Sequence, residues 1–182
     1  TMYADGTRGQ LPGVKENGWA KFPVEYMIDA GYTAAAEIGK SSAWVCPSAP
    51  EAGKWYPNGS KVDFARTYGF VRGGNYSDNR ANRPGFTSVD EDHPNIFWIW
   101  NLHRITQPSR QPVLIDSMYN LANQRSSCLA TVYTAATDNL ACLRHGGATS
   151  LNLWMSDGHV TSATRHKLVA DYGFNTNSIY GK

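Results

Sequence analysis

Leu151, Leu153 and Met155 alternate with Asn152, Trp154 and Ser156, the two-residue period of a strand whose faces meet different surroundings. Asp157-Gly158 follows. That pair suits a two-residue hairpin turn, in which both central positions need positive φ, and residues 160–162 are expected to return as the partner strand. Upstream, Ile96, Trp98, Trp100 and Leu102 alternate with Phe97, Ile99, Asn101 and His103. Both faces are largely apolar, which predicts a strand inside the sheet or under a covering loop, with residues 113–115 as its neighbour. Residues 64–71 predict a further strand, and residues 43–46, closed by Pro47, a short one leaving the core.

Helical signals are weaker and shorter. Pro23 suits the first turn of a helix reaching Ala30, with Gly31 as its stop. Residues 33–38 have high helix propensity and end at Gly39, and residues 163–172 set Leu168 and Val169 in a polar frame that ends at Gly173. Residues 1–21 read as an irregular opening segment. Residues 47–60, 73–92 and 119–143 read as outward loops, the first containing the Asn58-Gly59 turn signal. Strands do not alternate regularly with crossover helices, so the expected architecture is α+β with an antiparallel β-sheet and short helices. The 182 residues form one expected domain, 1–182, with no internal repeat.

Several short motifs occur in a suggestive order. Tyr3-Ala4-Asp5 and Gly9-Gln10-Leu11-Pro12 come first, followed by Trp19 with residues 22–27, and then by Trp44-Val45-Cys46-Pro47-Ser48. Thr67-Tyr68-Gly69-Phe70 and residues 108–117, which include Asp116, follow. Arg144-His145-Gly146-Gly147 and Asp157-Gly158-His159-Val160 close the series. This succession resembles the bacterial prepilin-like family with a C-terminal H-X9-DG domain, and the major pseudopilins of type II secretion. The chain departs from the pattern in spacing, with eleven residues between His145 and Asp157. The two extra residues keep strand parity but lengthen the loop after His145. A direct contact from His145 to Asp157 is therefore left open, and the segment around residues 121–143 lies outside the resemblance.

The resemblance implies a pilin-like head whose sheet packs on a long N-terminal hydrophobic helix, preceded by a prepilin leader, upstream of Thr1. It implies a structural subunit of a pseudopilus, non-enzymatic and extracytoplasmic, anchored in the inner membrane before assembly. Its partners would be copies of itself or other pseudopilins, joined through that helix, which would also be its membrane contact. Cys46, Pro47, Asp116, Arg144, His145, Gly146, Gly147, Asp157, Gly158, His159 and Val160 then serve as structural signature residues.

Composition narrows the alternatives. Charged residues make up 18% of the chain and formal net charge is +2, without a run of either sign. A protein tracking a nucleic-acid backbone needs a basic stripe, so nucleic acid is excluded as an expected partner. Three cysteines leave an odd one in an exported chain. Cys128 and Cys142 flank one loop-like segment and are the expected disulfide, worth about 3 kcal/mol in the chain-entropy picture. Cys46 is left either as a buried thiol or, by the resemblance, for a cysteine on the N-terminal helix.

Two other function classes have candidates. Asp116, His145, Asp157 and His159 are suitable zinc or acid-base groups, yet no HExxH, helical His pair or Cys-x-x-Cys accompanies them. The alternative reading is that Asp157 satisfies turn amides while His145 bonds backbone or a carboxylate and orders the Gly loop. That reading is the expectation, with neither catalytic residue nor cofactor. A serine relay through Ser156, Asp157 and His159 fails because adjacent strand residues face opposite ways. Calcium at Asp90-Glu91-Asp92 is the alternative ion, although a solvated loop explains that triplet better. Six tryptophans and ten tyrosines raise a carbohydrate-binding module as the alternative function, with a metal-dependent hydrolase behind it. Trp44, Trp98, Trp100 and Trp154 fit a core, leaving Trp19 and Trp55-Tyr56 as surface aromatics.

Overall fold

A computed structural model describes residues 15–16, 19–20, 31, 46–48, 68–72, 86–88, 98–100, 102–120 and 129–181. In chain order the strands are β1 (Lys15–Glu16), β2 (Trp19–Ala20), β3 (Tyr68–Arg72), β4 (Phe86–Ser88), β5 (Trp98–Trp100), β6 (Pro112–Asn120), β7 (Leu129–Thr131), β8 (Asp138–Cys142), β9 (Ser150–Met155), β10 (Val160–Thr164) and β11 (Ile179–Tyr180). One short helix, α1 (Arg165–Ala170), and three 3₁₀ turns complete the described elements. The architecture is a mixed, strand-rich one with few helices. Among the described residues, no helix is long and apolar enough to cross a membrane.

β6 organises a seven-stranded sheet in the order β10-β9-β6-β3-β7, with β8 paired to β6 and β11 to β8. Its first half carries Val113, Leu114 and Ile115, residues suited to a pleated, packed surface, and lies between β9 and β3. Its second half pairs with β8, through Ser117 opposite Ala141 and Met118 opposite Leu140. Pro112 begins the strand, where its lack of an N–H is tolerated, and the register to β9 shifts between Pro112 and Leu114.

One face of this sheet builds the main core. Val113, Ile115, Leu151, Leu153 and Met155 are buried there with Leu168 of α1, Phe174 and Ile179. Inward residues alternate along β9 with the half-buried Asn152 and Trp154, as the sequence period predicts. The chain after α1 is tied down by polar bonds. Ser178 Oγ donates to the Val132 carbonyl at 2.9 Å, Asn175 N–H donates to the same carbonyl at 2.7 Å, and Arg165 donates to the carbonyls of Ile179 and Gly181. Met118, Leu140 and Cys142 form a second, smaller buried cluster.

The structure revises several sequence expectations. The sheet is not wholly antiparallel, since β3–β7 and β8–β11 are parallel. Parallel pairing needs a crossover, and long stretches of chain separate the members of each pair. Residues 119–143 are not simply an outward loop. They supply β7 and β8, and the buried Leu140, Ala141 and Cys142 of β8 with Leu143 just after it form a short apolar run. The strand expected over residues 95–105 ends at Trp100 and gives way to a 3₁₀ turn at Leu102–Arg104. β5 pairs with β4, inside the supposed loop 73–92, and not with residues 113–115. The opening segment contains the small β1–β2 ladder. α1 starts at Arg165 because residues up to Thr164 continue β10. The helices expected over 23–30 and 33–38, the strand residues 43–45 and 64–67, loop residues 49–60, Asp90-Glu91-Asp92, Trp44 and Trp55-Tyr56 lie outside the described residues.

Candidate functional site

The β9–β10 hairpin forms with the expected register, Val160 opposite Trp154 and Ala163 opposite Leu151, but its turn is longer than two residues. Gly158 N–H donates to the Met155 carbonyl and Met155 N–H to the His159 carbonyl, both at 2.9 Å. Ser156, Asp157 and Gly158 therefore form a three-residue loop. Positive φ occurs at Gly158 and not at Asp157, which is the glycine-bulge form of hairpin and not the two-residue form. Asp157 Oδ1 accepts from His159 N–H at 3.2 Å and lies 2.6 Å from His159 Nδ1. Slight desolvation pushes the Asp157 carboxyl up, but the His159 amide and ring outweigh it and hold the group below its ordinary value. Asp157 and His159 thus bond to each other at an exposed hairpin tip.

A different set of residues converges on Asp116. Asp116 is the last β6 residue before the strand changes partners, and it stands opposite Tyr68 of β3. Directly opposed residues share a face, so Tyr68, Asp116 and Leu114 project away from the side chains that fill the main core, as does Asn152, while the half-buried Trp154 opposite Leu114 also packs against that core. The Asp116 carboxylate is wholly buried. Its Oδ2 accepts from the Asn152 backbone N–H at 2.8 Å and lies 3.1 Å from His145 Nε2. Its Oδ1 lies 4.0 Å from Arg144 Nε and has no hydrogen-bond partner among the described residues. Burial pushes the Asp116 carboxyl above its ordinary value, against the pull of the Asn152 amide, His145 and Arg144.

The loop between β8 and β9 delivers the histidine. Arg144 and His145 N–H groups both donate to the Ser150 carbonyl, at 2.9 and 3.0 Å, and the Thr149 and Ser150 N–H groups return to the His145 carbonyl. The chain closes on itself through Gly146, Gly147 and Ala148, at φ of 55°, 69° and 67°. Three consecutive left-handed residues explain the paired glycines after the histidine. Arg144 donates to the Ser117 carbonyl, which fastens the base of the loop to β6.

Cys46 completes the cluster. It is wholly buried, is followed by an exposed turn at Pro47 and Ser48, and places Sγ 3.5 Å from His145 Nε2. Burial pushes the Cys46 thiol up, opposed by a hydrogen bond from the Ser48 backbone. Tyr68 shares a hydrogen bond with the thiol, and burial pushes its phenol up to about 12. Asn152 Nδ2 lies 3.0 Å from His145 Nε2. The ligand atoms of Cys46, Asp116 and His145 all fall within 4.8 Å of one another. Beside them, Tyr68, Leu114, Asn152, Trp154 and Val160 line a groove of about 280 Å³.

The four-residue grouping of Asp116, His145, Asp157 and His159 is therefore split into two places, and Cys46 takes the position that Asp157 was a candidate for. Cys142 is a buried thiol in β8, and its expected disulfide partner Cys128 lies outside the described residues. Tyr68 and Asn152 were not singled out as site residues. The signal was present for Asn152 as a polar residue on the outward parity of an apolar strand. A thiol, imidazole and carboxylate invite comparison with a nucleophilic relay, which needs the acid and the nucleophile on opposite ring nitrogens. Here Cys46 and Asp116 both meet Nε2, and a thiol raised by burial is a poor nucleophile.

Compared with known protein families, curated proteins and solved structures, the chain matches none.

Proposed function

We propose that this chain is the extracytoplasmic, pilin-like head of a prepilin-like subunit, a structural protein of a type IV pilin-like or type II secretion pseudopilus assembly. The observation that carries the reading is the meeting of three motif segments at one buried point. Cys46 of the Cys-Pro-Ser turn lies 99 positions from His145 in the chain and Asp116 lies 29 positions from it, yet all three side chains touch. Such interlocking suits signature residues that hold a sheet and its loops in register. In this reading the core face of the sheet stabilises the head, the groove beside Leu114 and Trp154 faces the N-terminal hydrophobic helix, and neighbouring subunits meet through those helices.

The test is to read the gene upstream of Thr1 and to follow the full-length tagged product in its native cell. A prepilin-peptidase site followed by an apolar helix, with the product in membranes and in sheared surface filaments, is the expected result. A cleaved secretion signal without such a helix, or a product confined to the cytoplasm, would sink the reading.

A further inference from the structure

We propose that Cys46 Sγ, Asp116 Oδ2 and His145 Nε2 bind one divalent transition-metal ion of the zinc type. The first argument is proton accounting at His145. One ring nitrogen offers either one hydrogen or one lone pair, yet Nε2 faces the Asp116 carboxylate at 3.1 Å, the Cys46 sulfur at 3.5 Å and the Asn152 amide nitrogen at 3.0 Å. With a proton, Nε2 serves the carboxylate but opposes the Asn152 donor. Without one, it accepts from Asn152 but sets its lone pair against the carboxylate. Turning the Asn152 amide to present oxygen lets a protonated Nε2 serve it and the carboxylate, but one hydrogen does not serve the sulfur as well. A cation in the centre accepts lone pairs from sulfur, oxygen and nitrogen together.

The spacing fits a tetrahedral ion. Zinc bonds of about 2.3 Å to sulfur and about 2.0 Å to nitrogen or oxygen place sulfur and nitrogen about 3.5 Å apart, and nitrogen and oxygen about 3.3 Å apart. The observed sulfur–nitrogen and nitrogen–oxygen separations are 3.5 and 3.1 Å, and the sulfur and the carboxylate lie within 4.8 Å of each other, so closing on an ion needs a shift of up to about 1 Å between Cys46 and Asp116. The donor set selects the ion. Thiolate with imidazole favours zinc-like metals, whereas calcium and magnesium require oxygen cages.

Burial supplies a third argument. Cys46 and Asp116 are both wholly buried, and a carboxylate taken out of water carries a desolvation cost that a cation bound at Oδ2 offsets. The surrounding contacts are those that orient metal ligands: the Asn152 amide fixes the carboxylate, the Ser48 amide approaches the sulfur, and the closed loop holds His145. The His145 side chain is 26% exposed, which leaves an access path and a place for water as the fourth ligand. Arg144, 4.0 Å from Asp116 Oδ1, competes for the carboxylate and sets the affinity below that of a four-ligand structural zinc site.

The experiment uses the chain stripped with chelator and titrated with Co²⁺, Zn²⁺ or Ca²⁺. One Co²⁺ per chain with a thiolate-to-cobalt charge-transfer band, displaced by Zn²⁺, is expected, together with a rise in melting temperature with Zn²⁺ and none with Ca²⁺. Cys46→Ser should abolish the band. Asp116→Asn and His145→Gln should each weaken binding at least ten-fold, while Asp157→Asn and His159→Gln leave it unchanged. X-ray absorption of the zinc-loaded wild type should show one sulfur and two or more nitrogen or oxygen ligands, a readout independent of how the variants fold. A folded wild type without a cobalt band at saturation overturns the proposal. So does a band that survives Cys46→Ser, which would place the metal on another cysteine.

Discussion

Asp116 occupies a strand position where an aliphatic side chain would ordinarily sit, and its neighbours compensate for the buried carboxylate. Removing it strands the Asn152 amide and leaves Arg144, whose side chain is 3% exposed, without its nearest carboxylate. Asp116→Ala should therefore lower stability by about 3 kcal/mol, the scale for breaking a buried charged network, read as a lower urea midpoint at unchanged slope. Asp157 has a different pH signature. Its folded pKa lies below the ordinary 3.8, so its contribution is present above that value and is lost as pH falls through the folded pKa. The His159 amide should lose hydrogen-exchange protection in acid below about pH 3.8 in the wild type, and Asp157→Asn should lose that pH dependence. Sequence alone singled out the Asp and His residues but not their pairing. Two aspartates and two histidines allow several combinations, and the choice falls to an Asp two residues from His159 and to a loop that turns His145 back toward β6.

Among the elements, the hairpin of β9 and β10 was the most legible, because the two-residue period survives intact in burial. Its turn was misjudged by one residue, since Asp-Gly serves both hairpin forms and only the backbone at Asp157 separates them. β7 and β8 were hidden by the polar and small residues around them. The loop joining β8 to β9 has its glycine pair where left-handed backbone requires it, but Ala148 at φ 67° carries a Cβ in the same region. Ala148→Gly should stabilise the chain by about 1 kcal/mol, the left-handed penalty relieved less the extra unfolded-state entropy of glycine. Gly146→Ala should do the opposite. Its φ is already 55°, and an added Cβ would stand 3.1 Å from Thr149 Oγ1. Thermal unfolding of the two variants beside the wild type checks both signs, and a destabilised Ala148→Gly would show that the loop tolerates its alanine without strain.

At the scale of the whole molecule, the mixed, strand-rich character followed from the succession of short apolar runs, whereas strand order did not. Two parallel pairings join residues far apart in sequence, and no local pattern reports which distant strands will meet. The resulting sheet is unequal in its support. Leu114 and Ile115 of β6 lie between β3 and β9, Ile115 is packed in the main core, and β10 stands at the sheet's end with Val160 67% exposed. Amides held on both sides and packed beneath should open only with the whole domain, while those of an end strand open locally. Native-state hydrogen exchange should accordingly find the Ile115 and Trp154 amides slowest, at the global unfolding free energy, with Thr161 and Ala163, which pair with β9 alone, opening at a lower cost. Leu153→Ala, which empties a wholly buried site at a cost of about 3 kcal/mol, should lower the exchange free energy of the first pair by that full amount and leave the end-strand amides nearly unchanged. Equal loss at both would mean that β10 unfolds with the core and that the hairpin is no separate unit.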